Sequence, residues 1–277
     1  MSDKLGVLAG GGRLPACIIA ACRRQARPYF VIAFEGFTDP ATVSGSPHAW
    51  IKLEKVGATL RRLHQEGARE VVLAGPVRRP TKWSSLRPDW RAICLLAKML
   101  RRWHGDNHVL SQVVKELEAD GFRVVGAEAV APELLVRPGP LGRHRPDDRQ
   151  GADIALGVAA ARDLGRRDRG QAVIVANGRV LGRETAGGTA ALLDGTVRLR
   201  EARAGVLVKI TKPGQERRVD LPSVGVDTVR QAAAAGLGGI ALEAGGSLVI
   251  DYDEVVRAAD EAGLFVVGVA ASAENVL

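Results

Sequence analysis

Residues Leu5 to Ala9 form an unbroken apolar run that ends in Gly10, Gly11 and Gly12, after which Leu14, Cys17, Ile18 and Ala21 fall at helical spacing. A short apolar run, a glycine turn and an amphipathic helix in direct succession specify a strand that enters a helix through a tight turn. That is the opening unit of a parallel α/β sheet. The pattern recurs, because the strand-like runs Tyr29 to Phe34 and Glu70 to Ala74 flank a helical stretch from Gly57 to Glu66. Leu110, Val113, Val114 and Leu117 then form a helical face that Gly121 closes before the run Phe122 to Val125. The first half is therefore predicted to be a Rossmann-like parallel sheet with helices on both faces.

A chain of 277 residues is long enough for roughly two domains at ~150 residues each. Residues 132 to 149 hold Pro132, Pro138, Pro140 and Pro146 among mixed charges, which predicts a linker between a domain at 1–131 and a second at 150–277. In the second, Ile154 to Leu164 reads as a helix, and Asn177-Gly178 fits the type I′ turn of a hairpin. Val206 to Ile210 reads as a strand, Asp227 as the cap of a helix through Ala235, and Gly239–Leu242 and Leu248–Ile250 as strands around Gly245-Gly246. A helix from Asp253 to Ala262 and a strand from Phe265 to Val269 close the chain, so the expected fold class is mixed α/β.

The hydrophobic fraction of 46% and charged fraction of 25% exclude a largely disordered chain. No apolar run approaches the ~18 residues of a membrane span, and Met1-Ser2-Asp3-Lys4 does not resemble a secretory signal, so a cytoplasmic protein is expected. Cys17, Cys22 and Cys94 lack metal or disulfide spacing and read as core residues. Residues 1–131 carry 20 Lys/Arg against 12 Asp/Glu, whereas residues 132–277 carry 19 of each, so the net charge of +8 belongs to the first half. An anionic partner should meet that half.

Four segments could carry chemistry. Backbone amides of Gly10, Gly11 and Gly12 at a helix start can bind phosphate oxygens, although Pro15 stands where a dinucleotide fingerprint needs glycine. With Glu35 ending the second strand as a ribose-binding acid could, a nicotinamide reading stays open beside a turn that binds nothing. The stretch Arg78 to Arg102 has eight Lys/Arg, one acid (Asp89) and the tryptophans Trp83 and Trp90, with Trp103 next to it. It is either a basic amphipathic helix on an anionic membrane, a helix packed on the sheet with a solvated charged face, or, without any usual motif, a nucleic-acid contact. His104-Gly105-Asp106-Asn107-His108 could pair two histidines on a metal, or cap the following helix through Asp106 or Asn107. In the second domain Lys209, Lys212, Arg217 and Arg218 gather around Asp220, read as the single carboxylate among them, just before Pro222. Cations around one carboxylate suit a phosphate ester held beside a metal ligand or base.

Several blocks, in order, are similar to those of one family: Leu5-Gly6-Val7-Leu8-Ala9-Gly10-Gly11-Gly12-x-Leu14-Pro15, Ala74 to Pro80, Leu141-Gly142-Arg143 with Ala152 to Gly157, Gly170 to Val173, Lys212-Pro213-Gly214-Gln215-x-x-Arg218-Val219-Asp220-Leu221-Pro222, and Gly263 to Gly268. Over nearly its whole length the chain resembles the LpxI-type UDP-2,3-diacylglucosamine pyrophosphatases. The resemblance implies Mg2+-dependent hydrolysis of the substrate's pyrophosphate to UMP and 2,3-diacylglucosamine 1-phosphate, in lipid A synthesis. It implies a protein peripheral on the inner face of the inner membrane, with an acylated UDP-sugar and an anionic membrane surface as partners, no nucleic acid, and a homodimer as an admissible assembly. It assigns Asp220 as the catalytic residue and metal ligand. Lys212, Gln215, Arg218 and Thr189 are the expected phosphate contacts, with Gly10, Gly11 and Gly12. One departure stands out: where the family usually reads Glu-Gly-Thr-Asp-Ala-Met, this chain reads Gly187-Gly188-Thr189-Ala190-Ala191-Leu192. Either Glu184 compensates for the missing carboxylates and the metal is held differently, or the chain binds such a ligand with weakened or no hydrolysis.

Overall fold

A computed structural model describes residues 3–77, 87–100, 106–197 and 199–270. Arg78, Arg79, Lys82, Trp83, Arg101, Arg102, Trp103, His104 and Gly105 of the segments above lie outside the described residues. The chain divides into two compact units, one of Met1–Pro132 with Glu216–Asp220, the other of Glu133–Gln215 with Leu221–Leu277. Five residues of the polar loop of the second half thus count with the first unit.

The first unit runs β1 (Leu5–Ala9), α1 (Leu14–Arg24), β2 (Tyr29–Phe34), α2 (Pro40–Val43), β3 (His48–Ile51), α3 (Val56–Gln65) and β4 (Glu70–Ala74), then α4 (Trp90–Leu100), α5 (Asp106–Ala119), β5 (Arg123–Val124) and α6 (Ala127–Val130). Its strands form one parallel sheet in the order β3-β2-β1-β4-β5. β1 is central, and all five of its residues are buried. A strand covered on both faces has no polar positions to alternate, which is why it reads as a continuous apolar run. β3, by contrast, is an edge strand whose burial alternates exposed and half-buried, so the short His48-Ala49-Trp50-Ile51 gave no apolar run to detect. Leu8, Phe30, Ile32, Leu60, Leu63, Val71, Val114 and Leu117 make one core under α3 and α5, and Val219 from the returning segment packs against it.

The second unit holds β6 (Gly139–Pro140), α7 (Asp148–Arg166), β7 (Ala172–Ala176), β8 (Arg179–Arg183), α8 (Gly188–Thr196), β9 (Val206–Lys209), β10 (Ser223–Val224), α9 (Val226–Ala234), β11 (Gly239–Glu243), β12 (Leu248–Val249), α10 (Tyr252–Glu261) and β13 (Phe265–Val269). A six-stranded mixed sheet has the order β6-β13-β11-β9-β7-β8, while β10 and β12 pair apart from it. The proline-rich stretch is structured: Gly139 and Pro140 pair antiparallel with β13. α7 is longer than the apolar spacing suggests, because Asp147 and Gln150 form a reciprocal capping box whose N-cap lies about two turns before Ile154.

One local expectation is corrected. Asp227 lies in the first turn of α9 rather than capping it, since Gly225 holds the N-cap position. The strands expected around Gly245-Gly246 are present and belong to different sheets: β11 joins the large sheet and β12 pairs parallel with β10. The Asn177-Gly178 turn does form, with φ of 56° and 71°, and the buried Asp153 receives the amides of Asn177 and Gly178 at 3.0 and 2.7 Å. A left-handed pair of residues needs such a clamp, so this carboxylate is structural.

Candidate functional site

The glycine turn after β1 faces the turn after β4. The amide of Gly10 donates to the Ala74 carbonyl at 2.8 Å and that of Gly11 to the Pro76 carbonyl at 2.9 Å. These two amides, expected to meet phosphate, are therefore engaged by backbone. The glycines serve close approach instead: a Cβ on Gly10 would lie 2.6 Å from the Gly75 carbonyl oxygen, and Gly75 itself has φ of +85°. Of the three, Gly12 stays exposed, beside an open cleft of about 400 Å³ lined by Arg13, Arg23, Asp39 and Thr42. α1 begins there without a side-chain cap. Glu35 lies past the end of β2 and is exposed.

The polar loop is built differently, by side chains. Where β9 ends, the Thr211 amide donates to Glu243 at 2.7 Å and its hydroxyl to the Gly246 carbonyl at 2.9 Å. The Lys212 amide donates to Gln215 Oε1 at 2.9 Å, so the buried Gln215 braces the turn from within. Lys212 Nζ lies 3.1 Å from Asp168. Lys209, expected among the clustered cations, is instead buried in β9 and donates to the Ser223 carbonyl at 3.1 Å, tying the far end of the loop to the strand.

Glu216 to Asp220 continue within the first unit. The amides of Val219 and Asp220 both donate to the Glu216 carbonyl, at 3.1 Å each, and Val219 anchors the segment on the core. Asp220 is half-buried. It is not the single carboxylate of the cluster: Arg218 donates through Nε and Nη2 to the two oxygens of Glu216, at 2.8 Å each, and through Nη1 to Glu118 of α5. These acids hold the Arg218 guanidinium charged beyond its ordinary range, and its hydrogen bond pulls Glu216 below the usual glutamate value. A guanidinium filled by two carboxylates is a brace first; phosphate would have to compete for it.

The loop between β8 and α8 shows the third arrangement. Thr189 donates its hydroxyl to Glu184 Oε1 at 2.7 Å, and Glu184 Oε2 accepts the Gln171 amide at 2.8 Å. Glu184 is buried. Each of its oxygens already accepts one hydrogen bond within the fold. The carbonyl of Gln171 accepts the Ile210 amide at 3.0 Å, and so the Thr189 loop and the Lys212 loop hang on one residue. Thr189, Lys212 and Gln215 fall in the second unit; Gly10, Gly11, Gly12, Arg218 and Asp220 fall in the first.

Three supporting acids were not singled out in the sequence: Glu118, Glu216 and Glu243. Glu243 left one signal, an acid closing the otherwise apolar run Gly239 to Leu242. The other two look like ordinary surface charge. In α4, Arg91 and Lys98 pair with Glu116 of α5 and, for Arg91, with Asp120 just past its end. Asp89 accepts amides from Gly57 and Ala92, capping the first turns of two helices. α5 begins at Asp106. Among the described residues no three His, Cys, Asp or Glu side chains converge as a metal site, and no helix is long and apolar enough to cross a membrane.

Two family models match the chain, described as the LpxI N-terminal domain over residues 4–134 and the LpxI C-terminal domain over residues 137–267. A curated relative, "UDP-2,3-diacylglucosamine pyrophosphatase LpxI" of Caulobacter vibrioides, is 40% identical over 274 residues, covering 96% of this chain and 97% of its own. Among solved structures, the biotin carboxylase domain of a thermophilic 2-oxoglutarate carboxylase has a TM-score of 0.26 at 13% identity, over 66% of this chain and 37% of that one. N5-carboxyaminoimidazole synthase from Aspergillus clavatus has a TM-score of 0.25 at 14% identity, over 67% and 41%. Likenesses this slight bear on neither activity nor ligand.

Proposed function

The chain belongs to the LpxI family, and from that membership we propose that it hydrolyses the pyrophosphate of UDP-2,3-diacylglucosamine, releasing UMP and 2,3-diacylglucosamine 1-phosphate. The observation that carries the reading is the family-matched Asp220, held half-buried by a turn closed on Glu216 and anchored by Val219. A phosphoanhydride is cleaved by placing water in line and neutralising charge on the phosphoryl oxygens. Asp220 is the group assigned to orient and deprotonate that water, and Lys212 the cation assigned to the pyrophosphate. Gln215 fixes the turn that presents Lys212. Thr189 and Arg218 shape their loops through Glu184, Glu216 and Glu118, and Gly12 is the part of the glycine turn assigned to substrate.

Magnesium fits the donor set in one form only. With Glu184 engaged on both oxygens and no cluster of three ligating side chains among the described residues, Asp220 is the assigned protein ligand, and pyrophosphate oxygens and water complete the shell. The ion would supply charge neutralisation on the anhydride. Because substrate and lipid product carry acyl chains, the reaction is placed at the inner leaflet of the inner membrane. A binding-only reading is favoured by one observation, the alanine and glycine at positions 190 and 187. Purified protein with Mg2+ and the acylated nucleotide sugar decides: UMP release that Asp220→Ala abolishes supports hydrolysis, and saturable binding without UMP supports the alternative.

A further inference from the structure

β9 ends in a charge that the core encloses. Val206, Leu207 and Val208 are buried apolar residues of an interior strand, and Lys209 continues that strand at 8% exposure. By the two-residue period of a strand it projects to the face of Leu207, whose core also holds Val224 of β10 and Val249 of β12. Burying an ammonium carries a desolvation cost that a methionine of similar length would avoid, so its place there requires compensating contacts. The Ser223 carbonyl, 3.1 Å from Nζ, supplies one. Pro222 and Val224, on either side of Ser223, turn their carbonyls to β12 and accept the Leu248 and Ile250 amides at 2.8 Å each. The Ser223 carbonyl between them faces off the edge of a two-stranded sheet, and Lys209 gives it the donor that a third strand would have given. The two joined residues bracket the polar loop. Between them the chain counts with the second unit as far as Gln215, with the first from Glu216 to Asp220, and with the second again from Leu221. The entering half has its own braces, because Glu243, Gly246 and Gln215 hold Thr211 and Lys212. The returning half carries Asp220, and its backbone is fixed at Pro222 by the ring and at Ser223 by the Lys209 clasp.

We propose that Lys209 is a positioning residue of the reaction: its ammonium clasps the Ser223 carbonyl and so sets the returning half of the loop, and Asp220 with it. The inference deepens the proposed activity and rests on Asp220 as the group that acts on water. With Mg2+ and the acylated nucleotide sugar, Lys209→Met should lower kcat by about ten- to a hundredfold, the scale of a displacement of about 1 Å, and leave KM within about twofold of wild type. Gln215→Ala, which frees the entering half, should instead raise KM more than it lowers kcat. A positioning residue acts only through the group it positions, so Lys209→Met should cost nothing further in an Asp220→Ala background. Lys209→Arg, which keeps a charged donor, should hold kcat within about tenfold of wild type. Hydrogen exchange reads the clasp without substrate: the Leu248 and Ile250 amides should exchange faster in Lys209→Met, while those of β11 and β13 keep the wild-type rate. Wild-type kcat in Lys209→Met, a loss confined to KM, or a loss that adds to that of Asp220→Ala would each overturn the assignment. So would exchange that quickens evenly across the second unit, the mark of a purely structural lysine. Should Lys209→Met fail to fold, Lys209→Arg decides: kcat within about tenfold of wild type supports the clasp, and a greater loss in folded protein overturns it. Wild-type turnover by Asp220→Ala would strike the reading of Asp220, and the exchange at Leu248 and Ile250 would still report whether Lys209 holds Ser223.

Discussion

The turn after β1 and the loop after β9 both follow an interior strand of their sheets, and they are put together in opposite ways. The first is backbone on backbone: Gly10 and Gly11 give their amides to Ala74 and Pro76, and the absence of side chains lets the two turns touch. The second is side chain on backbone, with Glu243, Gln215 and Lys209 fixing Thr211, Lys212 and Ser223. A glycine-rich stretch at a strand end is thus evidence of close packing before it is evidence of a ligand. Chemistry is to be sought where polar side chains are held, because a positioned functional group is what a reaction uses.

That contrast is sharpest under substitution. Asp220→Ala should lower UMP release by about a thousandfold with its melting temperature near wild type, since the half-buried carboxylate is assigned to the reaction and not to the core. Gly75→Ala should do the reverse. It places a Cβ against the Gly11 carbonyl at a φ of +85° and should cost about 3 kcal/mol of stability, read by chemical denaturation, with per-molecule activity of the folded fraction preserved. A Gly75→Ala protein of normal stability would break the account of the glycine turn.

The β8–α8 loop gives a third, smaller effect. Glu184→Ala leaves the Gln171 amide and the Thr189 hydroxyl without their acceptor, a loss of about 2 kcal/mol. Thr189→Val removes one of those bonds and should cost about 1 kcal/mol. If Thr189 also touches substrate, the valine variant raises KM beyond what its stability explains; if Thr189 only braces Glu184, KM stays at the wild-type value.

Much of the fold could be read from the chain because its central strands are buried on both faces and so print as apolar runs. β1, β2, β4, β9 and β13 all obey this, and their bounds in the sequence match the structure closely. β3, β6 and β10 did not print. They are edge strands or two-residue pairings whose existence depends on partners remote in sequence. The same limit applies to the site. Lys212, Gln215, Arg218 and Asp220 are conspicuous as a polar block, but nothing local says that Arg218 will be taken up by Glu118, a hundred residues earlier, or that Lys209 will turn inward. Charge type is written in the sequence, whereas the pairing that decides which charges stay available for a ligand is tertiary.

The smallest predicted effect tests that pairing directly. In the folded protein the Arg218 hydrogen bond, partly opposed by desolvation, lowers the pKa of Glu216. Glu216 therefore holds fewer protons than in the unfolded chain, whose glutamates titrate near about 4.3. The stabilisation is fully present above that value and is lost as the pH falls toward the lower folded-state pKa. Glu216→Gln should accordingly melt below wild type at about pH 7, and the gap should narrow between about pH 5 and pH 3 as wild type loses its advantage. The effect is modest because the pair is partly exposed to solvent. A gap that stays constant through that window would mean that Arg218 draws its fixed position from Glu118 alone, and that the guanidinium has a free edge to offer a phosphate after all.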